Sequence, residues 1–367
     1  MTKAFDTVNH DILIQKLHHY GIRSTAKHWF VSYLTNRRQF VSFGCNESDT
    51  LPISCGVPQG SVLGPLLFLL YINDFHNSSP IFDFHIFADD SNLFCKHKNI
   101  ESLESIINDQ LSAVDSWLST NKLSLNIEKS NFVIFHPVQK KINYDLCIQI
   151  NGKTIKQEDH IKYLGLMLDS HLSWKTHVSS ILKKIKRSIG IICKARHYIN
   201  LETLVNLYYC LIYPYLVYGI VVWGHTYQST IDPLYIAQKK VLRIMTFSTF
   251  DAHSNPIFQK LKIIKFPDLV YLHTALFMHD YYSENLPVSF NCFFVQVNQK
   301  HNYNTRLATK LSYSLPKIRT NYGKFDIKYS GVKIWNSINE STKNLSKTKF
   351  KEILSKNILD SYSDNSV

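Results

Sequence analysis

The chain has 367 residues, 45% hydrophobic and 13% aromatic, which excludes a disordered or collagen-like polypeptide and leaves room for two or three domains. Its 41 Lys and Arg against 28 Asp and Glu leave a net charge of +13, which suits a polyanionic partner such as nucleic acid; a basic protein with no specific partner fits that charge equally. Seven cysteines, an odd number with no CxxC pair, indicate neither a disulfide framework nor a zinc ribbon, and the opening MTKAFDTVNHD holds no apolar signal core.

In chain order, NHDILIQKLHHYG predicts a helix ending at Gly21, with Ile12, Leu13, Leu17 and Tyr20 on one side. Ser24 is expected to cap a second helix whose face carries Trp29, Phe30, Tyr33 and Leu34. RRQFVSF alternates as a strand does, and LPISC is expected to pair with it across the polar turn CNESD. VLGPLLFLLYINDF, residues 62–75, is apolar enough for a buried helix. FHIFADDSNLFC, residues 84–95, reads as a half-buried hairpin with Asp89 and Asp90 at its tip. SLESIINDQLSAVDSWL is an amphipathic helix whose inner stripe is Leu103, Ile107, Leu111, Val114 and Leu118. NFVIFH and LCIQI read as strands, Asn151-Gly152 as a tight hairpin turn, and KYLGLMLD as one further strand.

Beyond this the pattern turns helical, from residue 173 to 246. LVNLYYCLIYPYLVYGIVVW, residues 204–223, is long and apolar, but it contains Asn206, Pro214, Gly219 and five tyrosines, two of them mid-span. A membrane span concentrates its tyrosines at the ends. Division at Pro214 into two buried helices is the expected outcome. KKIKRSIGIICKAR gathers Lys183, Lys184, Lys186, Arg187, Lys194 and Arg196, either a solvated face or a nucleic-acid contact. After residue 250 the chain becomes polar and basic with scattered aromatics, and SKNILDSYSDNSV is expected to fray.

Two adjacent carboxylates point to opposite faces of a strand, but a tight turn brings both toward one site. Burying them unpaired costs heavily, and a divalent cation with oxygen ligands, magnesium above all, supplies the missing charge. A solvated Asp-Asp turn explains the dipeptide alone just as well. Some 30 residues upstream, SCGVPQGSVLGPLLF holds Gly56, Gly60, Gly64, Pro58 and Pro65 in a rigid loop entering the apolar helix. Its glycines allow close backbone approach, and Gln59 offers both donors and an acceptor.

Together these segments resemble the reverse transcriptases of non-LTR retrotransposons of the jockey, CR1 and L2 type. KAFDTVNHD is similar to the first polymerase motif, GVPQGSVLGPLLFLLYIND to the second, FADD to the third, LSLNIEKSNFVIF to the fourth and KYLGLMLDSHLSWKTHV to the fifth. The likeness continues through YLVYGIVVWG, HNYNTR and YSGVKIWNSI. The box PQGS with FADD at this separation is highly specific, whereas either alone is weak.

The resemblance implies an α+β fold: a right-hand polymerase palm with an antiparallel sheet over residues 1–172, a helical thumb over 173–250, and a region without an assigned role over 251–367. It implies synthesis of DNA on an RNA template, from a DNA primer and deoxynucleoside triphosphates, with Mg2+ or Mn2+. Asp89 and Asp90 would hold the metal, and Lys129 would act near the pyrophosphate as a general acid. Phe5 would be the gate beneath the nucleotide sugar, disfavouring a 2′-hydroxyl. Gln59 and Gly60 would contact template and nucleotide, and Tyr163, Leu164 and Gly165 would grip the primer end. Lys183, Lys184, Lys186 and Arg187 would track the phosphate backbone. The family's first motif runs Asp-x-x-Lys-Ala-Phe-Asp, and its leading aspartate, a third metal ligand, falls one position before Met1. Asp6 stands too far along the chain to replace it. The expectation is therefore an N-terminally truncated, inactive polymerase; an inactive, transposon-derived nucleic-acid-binding protein is the alternative, and a membrane-associated helical protein is argued against by the PQGS and FADD boxes.

Overall fold

The computed structural model describes residues 1–140, 142, 144–297 and 312–363. They form two compact units, Met1–Ile161 and Lys162–Val367. The expected HNYNTR segment lies outside the described residues.

In the first unit, α1 (His10–His19) is capped by Asn9, whose side chain accepts from the Ile12 amide. Leu13 and Leu17, one turn apart, are its buried residues, and Gly21 follows at φ +94°. Tyr20, expected on the inner side, is exposed. α2 (Ser24–Leu34) buries only Leu34, and Trp29 is exposed. Ser24 does not cap this helix: the flanking residue is Arg23, with no side-chain cap, and Ser24 itself sits at φ +50°. β1 (Arg38–Gln39), β2 (Ser42–Phe43), β3 (Asn46–Glu47) and β4 (Leu51–Pro52) make the expected hairpin. β1 pairs antiparallel with β4, and β2 with β3.

α3 (Leu63–Ile72) buries Leu67, Phe68, Tyr71 and Ile72 against α1. Fully buried Tyr71 donates its hydroxyl to Asn121 O at 2.6 Å, so its polar end has a partner. β5 (Asp83–Phe87) and β6 (Asp90–Phe94) form the FADD hairpin, with Phe87 opposite Asp90. α4 (Ile100–Thr120) buries Leu111, Val114 and Leu118 of the expected stripe; Leu103 and Ile107 are half-buried. NFVIFH keeps only β7 (Asn131–Phe132), and β8 (Gln149–Ile150) pairs with β9 (Lys153–Thr154) around Asn151 and Gly152, both at positive φ. β10 (Lys156–Gln157) runs parallel to β7. The described strands pair only two by two, so the expected antiparallel sheet is a set of separate ladders, one of them parallel.

KYLGLMLD is a hairpin instead of one strand: β11 (His160–Tyr163) and β12 (Leu166–Asp169) flank a two-residue turn. In the second unit, the Asp169 carboxylate accepts from the amides of His171, Ser173 and Trp174 and fixes the entry into α5 (Lys175–Ala195). Val178, Ile181, Ile185, Ile189 and Ile192, at helical spacing, form its buried stripe, packed on α9 (Gln228–Met245). The long apolar run becomes α6 (Leu201–Leu211), α7 (Tyr213–Val217) and α8 (Ile220–Trp223). Pro214 opens α7, and Gly219 at φ +64° separates α7 from α8, so there are three helices where two were expected. Among the described residues no helix is long and apolar enough to cross a membrane.

α10 (Ser254–Leu261) and α11 (Phe266–Tyr282) complete this core. Gln238, fully buried, donates to the Tyr208 hydroxyl and Ile264 O and accepts from the Phe266 amide. Around the far part of α11 the aromatics Phe294, Tyr313, Trp335 and Phe350 build a second cluster, with helices Ile327–Ser337 and Lys347–Asp360. The last helix holds to Asp360 and Tyr362 is buried, its hydroxyl on Asp268, so the expected fraying is not seen over residues 355–363; residues 364–367 lie outside the described residues.

Candidate functional site

The FADD turn consists of Ala88 and Asp89, and Asp90 opens β6. Ala88 takes φ +51°, a conformation that costs an L-residue on the order of 1 kcal/mol or more. One face of the hairpin, with Phe84, Ile86 and Leu93, packs on the unit's core. Phe87 and Asp90 share the other, exposed face. Both carboxylates are thus solvent-accessible, at and beside the tip.

The first six residues join this turn to the other motifs of the unit. The Met1 amino group donates to Asp89 O at 3.4 Å. The Thr2 amide donates to Ser124 O at 2.9 Å, five residues before Lys129. Lys129 closes a short helical turn capped by Asn126 and is itself exposed. Phe5 stacks on Phe68 of α3, ring centres 4.5 Å apart, and its carbonyl accepts from Val57 N at 2.9 Å. Gln59 donates to the Asp6 carboxylate at 2.7 Å.

The glycine loop is pinned where glycine is required. At Gly56, φ +88°, a Cβ would lie 2.9 Å from Asp6 O; at Gly64 it would lie 2.7 Å from Pro58 O. Ser61 donates to Pro58 O and accepts from the Gly64 amide, which closes the loop onto α3. Gly60, φ +80°, has open space around it, as close approach by a ligand requires. Phe5, Gln59 and Asp89, each singled out from the sequence, therefore converge on one short segment. Sequence reasoning missed Ser124 and the backbone of residues 1 and 2, which carry no chemical signal of their own.

Magnesium is commonly held by one or two carboxylates together with water and substrate phosphates, and the exposed Asp89 and Asp90 are the side chains that would supply them. Asp89 and Asp90 are two carboxylates, Asp6 is engaged by Gln59, and among the described residues no three His, Cys, Asp or Glu side chains group as metal ligands.

In the second unit, Leu164 and Gly165 form the β11–β12 turn at φ +43° and +87°, and Tyr163 is half-buried. On α5, Lys183, Lys184, Lys186, Arg187 and Lys194 are exposed, opposite the buried isoleucine stripe. Lys184 lies 5.3 Å from the Tyr215 ring centre. Arg196 departs from this row: it donates to Ile244 O and lies over the Phe247 ring at 4.6 Å, so it braces the unit's own structure. His177, buried, accepts the Met167 amide, and burial, with Lys184 adding to it, holds its ring at about pKa 4.

These motifs lie in a segment with a recognised identity: residues 1–168 match the family profile Reverse transcriptase (RNA-dependent DNA polymerase). That segment is similar to the reverse transcriptase family. The chain is 29% identical over 285 residues to the RNA-directed DNA polymerase from mobile element jockey of Drosophila melanogaster, covering 72% of this chain and 30% of that protein. It is 28% identical over 258 residues to the probable RNA-directed DNA polymerase from transposon X-element of the same fly, covering 68% and 28%. Its likeness to the probable RNA-directed DNA polymerase from transposon BS is 24% over 294 residues, 75% and 31%. The resemblance to non-LTR retrotransposon reverse transcriptases therefore holds. The chain spans less than a third of the length of these relatives.

Proposed function

We propose that this chain carries the nucleotidyl-transfer site of an RNA-templated DNA polymerase and binds an RNA template with a DNA primer. In this reading Asp89 and Asp90 are two carboxylates of the nucleotidyl-transfer site, and Lys129 is its general acid. Phe5 is the sugar gate, and Gln59 and Gly60 touch template and nucleotide. Tyr163, Leu164 and Gly165 hold the primer end, and Lys183, Lys184, Lys186 and Arg187 meet phosphates.

The observation that carries the proposal is the 3.4 Å approach of the Met1 amino group to Asp89 O. The position before Met1, where the family's first motif has its leading aspartate, adjoins the FADD turn. Phosphoryl transfer relies on positioning and charge neutralisation. Loss of one ligand costs several kcal/mol, or about a thousandfold in rate at about 1.4 kcal/mol per decade.

The test is primer extension on RNA with magnesium or manganese. Residues 1–367 are compared with a form extended upstream by an Asp-bearing strand and the fingers that precede it in the family. The extended form is expected to be faster by about a thousandfold or more. Equal extension by both would make Asp6 or another residue the third carboxylate and reject the reading.

A further inference from the structure

We propose that Tyr218 is a positioning residue: its hydroxyl holds the Leu164–Gly165 turn in the shape that meets the primer end. This rests on the primer-grip reading of residues 163–165.

The Tyr218 hydroxyl donates to Leu164 O at 2.6 Å, across 54 residues of sequence. Leu164 needs that anchor, because a bulky side chain at φ +43° is disfavoured. Both turn residues lie at positive φ, as the twist of a two-residue hairpin demands, yet only Gly165 adopts it freely. Contact is close on both sides. A Cβ on Gly165 would stand 3.1 Å from Tyr218 Cε1, and a Cβ on Gly219 would stand 3.0 Å from Leu166 Cδ2. Two glycines, one in each partner, thus permit the approach.

Tyr218 is itself fixed from behind. The indole of fully buried Trp223 donates to Tyr218 O at 2.8 Å. Trp223 stacks on Phe266, 5.6 Å between ring centres, and meets the His177 ring edge-on at 5.2 Å. His177 in turn accepts the Met167 amide on β12 at 3.3 Å. The contacts close a ring: turn, Tyr218, Trp223, His177, β12 and back to the turn. Buried helices therefore set the turn's position, and the exposed Tyr218 is their point of contact with it.

The test uses residues 1–367 bound to an RNA–DNA template–primer carrying 2-aminopurine as the 3′-terminal primer base. Tyr218→Phe should keep duplex affinity within about twofold and lower the protein-induced change in 2-aminopurine fluorescence at least about threefold. It should also speed amide exchange at residues 164–166 about fivefold, as loss of one hydrogen bond implies. Gly165→Ala, which pushes the ring away, should reproduce both effects. Lys183→Ala with Lys186→Ala should weaken binding and leave the terminal signal at saturation unchanged. Wild-type exchange and terminal signal in Tyr218→Phe would overturn the proposal. A wild-type chain that gives no terminal signal would remove the primer-grip reading instead, and amide exchange would still decide whether Tyr218 holds the turn.

Discussion

Gln59 donates its side-chain amide to the Asp6 carboxylate over 2.7 Å, joining the glycine loop to the segment 53 residues before it. The pair is exposed, but the backbones beneath it are in close contact: Gly56 N donates to Val8 O at 2.7 Å and Val57 N to Phe5 O at 2.9 Å. The loop's position depends on that backbone contact more than on the side-chain pair.

Gly56→Ala should therefore destabilise the first unit far more than Asp6→Ala. The alanine meets both an unfavourable φ of +88° and a Cβ 2.9 Å from Asp6 O, which together cost about 2–3 kcal/mol. Thermal unfolding should show a fall of about 4–10 °C. Asp6→Ala removes a solvent-screened interaction and should move the midpoint by about 2 °C or less. Equal shifts would mean that the side-chain pair, and not the backbone, holds the loop.

Gln238 is the polar keystone of the second unit's core. Gln238→Leu keeps the volume but leaves the Tyr208 hydroxyl, the Phe266 amide and Ile264 O short of a partner. Each unsatisfied buried group costs about 1–3 kcal/mol, so a loss of about 3 kcal/mol or more is expected in urea unfolding. A loss below about 1 kcal/mol would show that these groups find other partners.

Acid should weaken the second unit through two histidines, buried His177 and half-buried His225. Burial holds both His177 and His225 at about 4, below the usual 6.5. The unfolded chain takes up protons from about pH 6.5 downward that the folded chain refuses, so stability is full above that pH and falls toward pH 4. Each ring contributes a slope of up to about 1.4 kcal/mol per pH unit within that window. His177→Asn, which can still accept the Met167 amide but does not titrate, should remove about half of this histidine-linked slope in urea titrations at pH 7, 6 and 5. An unchanged slope would show that His177 is protonated in the fold.

The exposed basic row of α5 makes a salt-dependence prediction. Replacing Lys183, Lys186 and Arg187 by Gln should reduce the slope of log affinity against log salt for duplex nucleic acid by about 2–3, at about 0.9 for each phosphate no longer neutralised. Circular dichroism should not change, because none of the three is buried. A slope equal to that of the wild type would put the phosphate-binding groups elsewhere.

What the sequence determined by itself was local or motif-borne. Helical periodicity found the buried stripes of α4 and α5, since 3.6-residue spacing is a property of neighbours in the chain. The order and separation of PQGS and FADD pointed to the family, and Asn151-Gly152 to its hairpin, because residue type alone favours positive φ there. Tertiary structure decided the rest. KYLGLMLD reads as one strand because leucine disfavours the left-handed region; it folds back at Leu164, whose carbonyl accepts from Tyr218, 54 residues on. Ser24 has the chemistry of a cap, but the chain enters α2 through Arg23, and capping needs a backbone direction that residue type does not encode. Lys183 and Arg196 look alike in sequence. The first faces solvent, while the second is drawn to Ile244 O and the Phe247 ring by helices that meet only on folding. The convergence of Met1, Thr2, Phe5 and Asp6 on Asp89, Ser124, Val57 and Gln59 is likewise a product of packing, since two of those four links run between backbone groups that every residue possesses and a third runs from the terminal amino group to a backbone carbonyl.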